Sequence, residues 1–368
     1  MSDVSASLDF PVTRRADATS TAAREATLAN PGFGKKFTDH MAAAAWTPQA
    51  GWHDSRVVAY GPLQLDPAAA VLHYAQEIFE GLKAYRHPDG SVWTFRPQVN
   101  AARFAASAQR LALPELPEVA FLRSLEQLVA TDVDWVPAFA EGAETSLYLR
   151  PFMFADEAFL GVRPADAVTY LVIASPSGPY FSGGIKPISL WLSTQYARSG
   201  PGGTGAAKCG GNYASSLAAQ IDATEHGCDQ VVYVDVVERK WIEESGSMNI
   251  CFVTRDGELI TPKLTGTILD GVTRRSVLEL ASDLGLRADE REISIDDWRD
   301  GARSGDIVES FACGTAAVIT PIGSLKWEGG SIELATEPGP VAVQIRQALL
   351  DIQYGRAEDT HGWLYQLA

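Results

Sequence analysis

At 368 residues the chain exceeds what one hydrophobic core comfortably fills, so two domains of roughly 150–200 residues are expected. Its composition, 46% hydrophobic and 21% charged, is that of an ordinary globular protein, and a formal charge of −16 argues against a surface built for nucleic acid or anionic membrane. No apolar run approaches the ~18 residues that a bilayer span needs.

Met1–Asn30 is polar and rich in Ser, Thr and Ala, without the apolar stretch of a secretory signal, and reads as a flexible N-terminal arm. The four cysteines (Cys209, Cys228, Cys251, Cys313) form no CxxC pair, which predicts reduced thiols and a cytoplasmic protein. The histidines make no HExxH or similar cluster, so no metal site is expected, and His40 reads as a structural hydrogen-bonding group.

In chain order, Val57–Leu65 and Val92–Phe95 read as strands, the second after an Asp89-Gly90 turn. Pro97 opens a helix over Asn100–Leu111 with Ala101, Phe104, Ala105, Ala108 and Leu111 on one stripe, and a second helix covers Val119–Asp132. Strands follow at Thr145–Ala155 and Ala167–Ser175, the latter a continuous apolar run suited to a buried position. The Pro/Gly-rich stretch after it places an interdomain linker at 179–187, between a small domain, 31–178, and a large one, 188–368. In the large domain Ile188–Ser193 is a strand, Asn212–His226 a helix and Gln230–Asp235 a strand. Asn249–Thr254 and Glu258–Thr261 form a hairpin about Asp256-Gly257. A helix over Gly271–Leu284, a strand at Ile307–Phe311 and an amphipathic helix over Val341–Gln353 complete the reading.

The most informative stretch is Gly202–Tyr213, whose small residues and glycines surround Lys208. Such a lysine is either incidental to a flexible loop or, if desolvated, a lowered-pKa amine able to form a Schiff base. The phosphate-cradling Gly-x-x-x-x-Gly-Lys-Ser/Thr pattern fails, because Ala207 and Cys209 flank the lysine. Thr273 begins a helix and is either a plain N-cap or part of an anion site. Gly314-Thr315 offers a hydroxyl and turn amides, and Arg103 is either a surface arginine or a forked charge for phosphate. Glu244 leaves a strand beside Ser245-Gly246 and either caps that turn or pairs with a buried cation such as a pyridinium nitrogen. Tyr213 lies five residues past the lysine and offers a phenol. One ligand uses a phosphate, an aldehyde, a phenolic oxygen and a ring nitrogen together, and that ligand is pyridoxal 5'-phosphate.

The motifs then resemble those of a known family. Glu244-x-Gly246-x-x-Asn249, Leu259-Ile260-Thr261 and Leu269-x-Gly271-Val272-x-Arg274 follow the signature of the fold-type IV pyridoxal-phosphate enzymes. Phe33–Met41, His73-Tyr74, Phe79–Lys83, Ser146–Pro151, Lys208–Tyr213, Gly314–Ala316 and Asp351–Gly355 extend the likeness, from about Gly32 onward, to their branched-chain amino-acid aminotransferases. The resemblance implies an α/β (α+β type) fold of two domains with the cofactor at the domain interface, and a homodimer. It implies Lys208 as the Schiff-base lysine, Glu244 on the pyridine nitrogen and Tyr213 on the phenolic oxygen. Arg103, Thr273, Thr315 and the Val272 amide would hold the phosphate, with Leu269 behind the ring. Phe33, Tyr74, Phe79, Tyr148, Tyr180, Ser247, Thr315 and Ala316 would line the side-chain pocket, with Arg150 for a second carboxylate. Leu160 and Val162 would reach in from the second subunit.

The implied reaction moves the amino group of leucine, isoleucine or valine to 2-oxoglutarate. Three departures stand out: Cys251 where the signature prefers an aromatic residue, Asp270 in place of a proline, and Ala317 and Thr320 where some relatives carry a redox CxxC. Other readings are D-amino-acid transamination or aminodeoxychorismate cleavage on the same fold, and a phosphate-ligand-binding protein without turnover. The first two belong to shorter relatives that lack the Phe33–Met41 and Asp351–Gly355 segments.

Overall fold

The computed structural model describes residues 8–179 and 184–368. It divides into two units, the first comprising Met1–Pro179, Ala207–Gly210 and Ile352–Ala368, the second Tyr180–Ala206 and Gly211–Asp351. The strands of the first part of the chain are β1 (His40–Thr47), β2 (Gly51–Ala59), β3 (Glu77–Phe79), β4 (Leu82–Arg86), β5 (Val92–Phe95), β6 (Ser146–Ala155) and β7 (Val168–Ser177). Next come β8 (Ile188–Ser193), β9 (Gln230–Val234), β10 (Ile242–Ser245), β11 (Asn249–Thr254) and β12 (Glu258–Thr261). The last are β13 (Arg287–Glu290), β14 (Ile307–Gly314), β15 (Val318–Trp327), β16 (Gly330–Glu333) and β17 (Leu364–Gln366).

The first unit is built on an antiparallel sheet, β17-β5-β4-β6-β7-β1-β2, with β3 also on β6. Along β6 the odd residues Leu147, Leu149 and Met153 are buried while Tyr148, Arg150 and Phe152 are half-buried, so period-2 alternation sends the polar pair to one face. Helices α1 (Thr21–Ala29) and α2 (Ala70–Tyr74) are short, whereas α3 (Pro97–Arg110) and α4 (Glu118–Thr131) cover the sheet. Phe104 of α3 packs edge-on against Tyr170 of β7 and beside Phe121 of α4, with ring centres 5.8 and 5.6 Å apart.

The second sheet runs β10-β9-β8-β15-β14-β11-β12-β13, with β16 on β15. It is mixed: β8 is parallel to both β9 and β15, and β12 to β13, while the other pairs are antiparallel. Its helices are α5 (Gly210–Ala214), α6 (Leu217–Glu225), α7 (Val272–Asp283), α8 (Ile295–Ser304) and α9 (Pro340–Gln353). A capping box of Ser294 and Asp297 starts α8, whose Trp298 packs edge-on against Phe252 at 5.1 Å.

Several elements differ from the sequence expectation. The strand expected at Val57–Leu65 is Gly51–Ala59, because it pairs with β1 through a turn at Thr47–Gly51 and stops before Pro62. The helix expected over Asn212–His226 breaks in two: the Ser215 and Ser216 hydroxyls bond the carbonyls of Asn212 and Tyr213, taking acceptors a continuous helix would use. Residues 207–210 and 352–368, expected in the second domain, group with the first unit. The Phe79 amide donates to the Lys208 carbonyl, and the Lys208 amide to the Ser107 hydroxyl, both at 2.9 Å.

Within the segment expected as a flexible arm, Phe10 is fully buried in the first core and Val12 bridges to Val57, whereas the helix Thr21–Ala29 buries no residue. His40 fixes the segment, its Nδ1 donating to Asp132 at 2.6 Å and its Nε2 accepting the Arg15 amide at 2.8 Å. Replacing Phe10 with Ala removes a fully buried aromatic ring, and a loss of about 3–5 kcal/mol is expected. Chemical denaturation measures it, and a change below ~1 kcal/mol would show the segment to be an ornament on the core.

Candidate active site

In the first unit the chemistry gathers around Lys208. Strand β6 puts Tyr148 and Arg150 side by side, with Arg150 Nη2 donating to the Tyr148 hydroxyl at 2.7 Å. The Arg150 guanidinium lies 4.7 Å from the centre of the Phe79 ring, and Lys208 Nζ lies 4.8 Å from the same ring. Phe33 meets Tyr148 edge-on at 5.2 Å. Any side chain at position 81 would collide with the Tyr148 hydroxyl, which is the reason for Gly81 in the Phe79–Lys83 motif. Tyr74 joins a second, exposed group by donating its hydroxyl to the Leu160 carbonyl; Leu160 and Val162 are 66% and 88% exposed. Tyr180 lies outside the described residues.

Arg103, on the first half of α3, is gripped by Glu80, a residue to which the sequence assigns no role. Glu80 is fully buried and accepts Arg103 Nε at 2.7 Å, Arg103 Nη2 at 2.8 Å and Asn100 Nδ2 at 2.7 Å. Burial disfavours the charged carboxylate, but the Arg103 charge and the bonds to it outweigh that cost and hold Glu80 below its ordinary value. Burial, then the positive charge of Arg103, push the Lys208 ammonium down to about 8, with Glu80 opposing. The lysine has no charged neighbours in sequence, and its field is assembled from α3, β6 and the turn after β3.

In the second unit the register brings the remaining candidates to one end of the sheet. Asn249 opposes Cys313, so the turn after β14, with Thr315 and Ala316, lies beside Ser247 and Met248. A bulge in β10 turns both Glu243 and Glu244 toward the segment 265–269. Glu244 Oε1 accepts the Leu269 amide at 2.5 Å, and Asn249 Nδ2 donates to the Leu269 carbonyl at 2.9 Å. The two ends of the Glu-x-Gly-x-x-Asn motif therefore clasp the peptide groups on either side of one residue. Gly271 completes the clasp, since a Cβ there would run into Asn249 Oδ1.

Gly271 is the N-cap of α7 and contributes no side-chain cap, and Val272 and Thr273 form the first turn. Asp270 pairs with Arg275, with both carboxylate oxygens 3.0 Å from Nε. Glu244 is buried and carries a second bond that the sequence did not suggest: Arg198 Nε lies 2.8 Å from Oε2. Arg198 is itself buried and tied to the carbonyls of Gly205 and Thr267 at 3.2 and 2.9 Å. Tyr213 sits half-buried on α5, and Val318, after the Thr315 turn, has a left-handed backbone (φ 63°) unusual for a β-branched residue.

A model of the family described as amino-transferase class IV matches residues 77–325. A branched-chain-amino-acid aminotransferase of Mycolicibacterium smegmatis is 55% identical over 364 residues, spanning 98% of each chain. One of Mycobacterium tuberculosis is 54% identical over 367 residues, spanning 99% of each. Among solved structures, the branched-chain amino acid aminotransferase of T.th. has been complexed with N-(5'-phosphopyridoxyl)-L-glutamate and with 4-methylvaleric acid. Both complexes are 27% identical to this chain, cover 89% of it and 99% of their own, and superpose with a TM-score of 0.71.

The chain belongs to the class IV aminotransferases, transaminases that use pyridoxal 5'-phosphate. Within that class its kin are the branched-chain-amino-acid aminotransferases. Each unit supplies groups of the kind this cofactor uses: the first a desolvated amine, the second a buried acid paired with an arginine and a helix N-terminus without a side-chain cap. No helix among the described residues is long and apolar enough to cross a membrane.

Because the folded protein lowers the Lys208 pKa from 10.5 to about 8, the free amine is the major form at mildly alkaline pH. The uptake rate of pyridoxal phosphate by cofactor-free protein should rise about tenfold per pH unit below 8 and level off above it. A plateau reached only near 10.5 would mean an ordinary, solvated lysine. In the same window, from about 8 to 10.5, the unfolded chain binds the extra proton, so this group makes the cofactor-free fold more stable as pH rises.

Proposed function

We propose that the enzyme transfers the amino group of leucine, isoleucine or valine reversibly to 2-oxoglutarate, giving the branched 2-oxo acid and glutamate. The observation that carries this reading is the joining of an aromatic wall, Phe33, Phe79 and Tyr148, to a single fixed arginine, Arg150. Such a wall favours an apolar branched side chain at about 0.8 kcal/mol per buried CH₂, while the arginine offers a charge-assisted bond to a second carboxylate. The T.th. complexes support both halves, one holding a glutamate adduct and the other a branched aliphatic acid.

In this reading Lys208 carries the cofactor, and Arg103, Thr273, Thr315 and the Val272 amide hold its phosphate, with Glu80 fixing the Arg103 fork. Glu244 bonds the ring nitrogen, Tyr213 the phenolic oxygen, and Leu269 lies behind the ring. The bound cofactor supplies an electron sink for the negative charge left at the substrate α-carbon. Lys208 Nζ, freed when the substrate's amino group takes its place, would take the proton from that carbon and hold it for return, a role suited to an amine whose pKa is lowered to about 8. Arg198 pairs with Glu244 Oε2 and would hold that carboxylate in place for the ring nitrogen. The family resemblance would add Tyr74, Tyr180, Ser247 and Ala316 to the side-chain pocket, with Tyr74 standing beside Leu160.

The working form is a cytoplasmic homodimer in which Leu160 and Val162 enter the partner's pocket. Support comes from the exposure of these two apolar side chains and from four buried cysteines that form no disulfide. The assay is leucine with 2-oxoglutarate, following glutamate and the 2-oxo acid. Arg150→Ala should lower kcat/KM for 2-oxoglutarate roughly ten- to hundredfold and change that for leucine by a few fold at most. Equal losses on both would remove the carboxylate role. Lys208→Ala should stay folded, retain no turnover and lose the visible absorbance, whereas residual activity near the wild-type level would transfer the lysine role elsewhere.

A further inference from the structure

The second unit holds a cavity of about 270 Å³ that none of the roles above uses. Its walls include Glu243, Thr265, Thr267, Trp241, Ile268 and Lys263, and Glu243 rather than Glu244 faces it. Glu243 is only 5% exposed. Its Oε1 accepts the Thr267 hydroxyl, while Oε2 is buried and has no hydrogen-bond partner. An unsatisfied buried carboxylate oxygen is rare in a folded protein and demands an explanation. Burial raises the Glu243 pKa, Asp235 adds to the shift and the charge of Arg198 opposes it, so to stay ionised the carboxylate needs a donor on its Oε2 side, and a cation entering from the cavity would supply one.

Two further observations define that cation. Asp235, another acid on the wall, is consumed by the turn it staples, accepting the amides of Val237, Glu238, Lys240 and Trp241 at 2.7–3.0 Å. Among the described residues no three His, Cys, Asp or Glu side chains converge to hold a metal ion, so the donor sought for Glu243 is an N–H rather than a metal. The rest of the wall combines an indole, aliphatic side chains and the paired hydroxyls of Thr265 and Thr267, 2.8 Å apart. That combination accepts an N–H donor at one end and an apolar stem along the other.

We propose that this cavity binds a primary ammonium carried on a short apolar stem, with Glu243 as its counter-ion. The binding does not depend on the roles assigned to Lys208 or Arg150. It has a consequence for them, because Thr267 links Glu243 to Arg198 and Arg198 to Glu244. An occupant therefore touches the scaffold that positions the buried acid. Two sources offer this chemistry, a simple alkylamine or the ammonium of an apolar amino acid. The second also uses Lys263, which lies 3.9 Å from Glu292, for its carboxylate.

The test is calorimetric titration of the cofactor-loaded protein with isobutylammonium chloride, with isobutanol as the neutral isostere and valine as the amino-acid probe. Isobutylammonium should bind and isobutanol should not, and Glu243→Gln, which keeps volume and the Thr267 bond, should weaken the ammonium roughly ten- to hundredfold. Valine that binds a second equivalent lost in both Glu243→Gln and Lys263→Gln assigns the site to the amino acid. A second equivalent seen with isobutylammonium alone assigns it to the amine. Equal binding of isobutanol and isobutylammonium would overturn the proposal. So would wild-type affinity in Glu243→Gln, or no heat from either cation in a wild-type protein that still turns over.

Discussion

A carboxylate buried without a partner is among the most costly arrangements a protein can hold, and Glu244 is given two. Arg198 neutralises one oxygen, and the Leu269 amide takes the other. The same Leu269 is held from its carbonyl by Asn249, which fixes where α7 begins and thus where the amides of Val272 and Thr273 point. A charge requirement at Glu244 is thereby converted into the placement of a helix terminus. Removing either end of the clasp frees the Leu269 segment, and removing Glu244 also takes from the buried Arg198 its carboxylate partner.

The first unit solves the opposite problem. There a lysine must be charged reluctantly, and desolvation alone would overshoot if nothing stabilised its ammonium. Glu80 supplies the restraint, yet most of its charge is already committed to the Arg103 fork. Burial first, then the Arg103 and Arg150 cations against Glu80 and Tyr148, leaves Lys208 at about 8. The balance is local to α3, β6 and the turn after β3, and all three are rigid elements of one antiparallel sheet and its covering helix.

Much of this is legible in order but not in space. Short strands marked by turns, such as Val92–Phe95 and the hairpin at Asp256-Gly257, coincide with the folded chain, since local chemistry decides them. The Glu-x-Gly-x-x-Asn spacing is visible as a motif, but its purpose depends on Leu269, whose carbonyl Asn249 reaches across a sequence separation of 20. Glu80 stands inside a motif, and nothing about its neighbours says that it will be buried against Arg103. Arg198 lies in no motif at all; only the approach of the Gly205 and Thr267 carbonyls makes it a buried cation. The N-terminal segment reads as an arm because its composition is polar, whereas one ring, Phe10, and one histidine contact decide its packing.

The departures from the signature show how the fold absorbs change. Asp270 puts a negative charge one residue before the N-cap of α7, where it would compete with an anionic ligand. Arg275, one turn into that helix, takes the carboxylate and returns the local balance toward neutral. Cys251 stands buried in the middle of β11, where the signature prefers an aromatic side chain, and it has a second thiol as a neighbour. That neighbour is Cys313 of β14, two positions along the register from the residue facing Cys251; its contact with Cys251 and its burial raise its pKa well above the ordinary value. Buried thiols behave as small apolar groups, so the strand keeps its packing and Asn249, at its head, keeps its aim on Leu269.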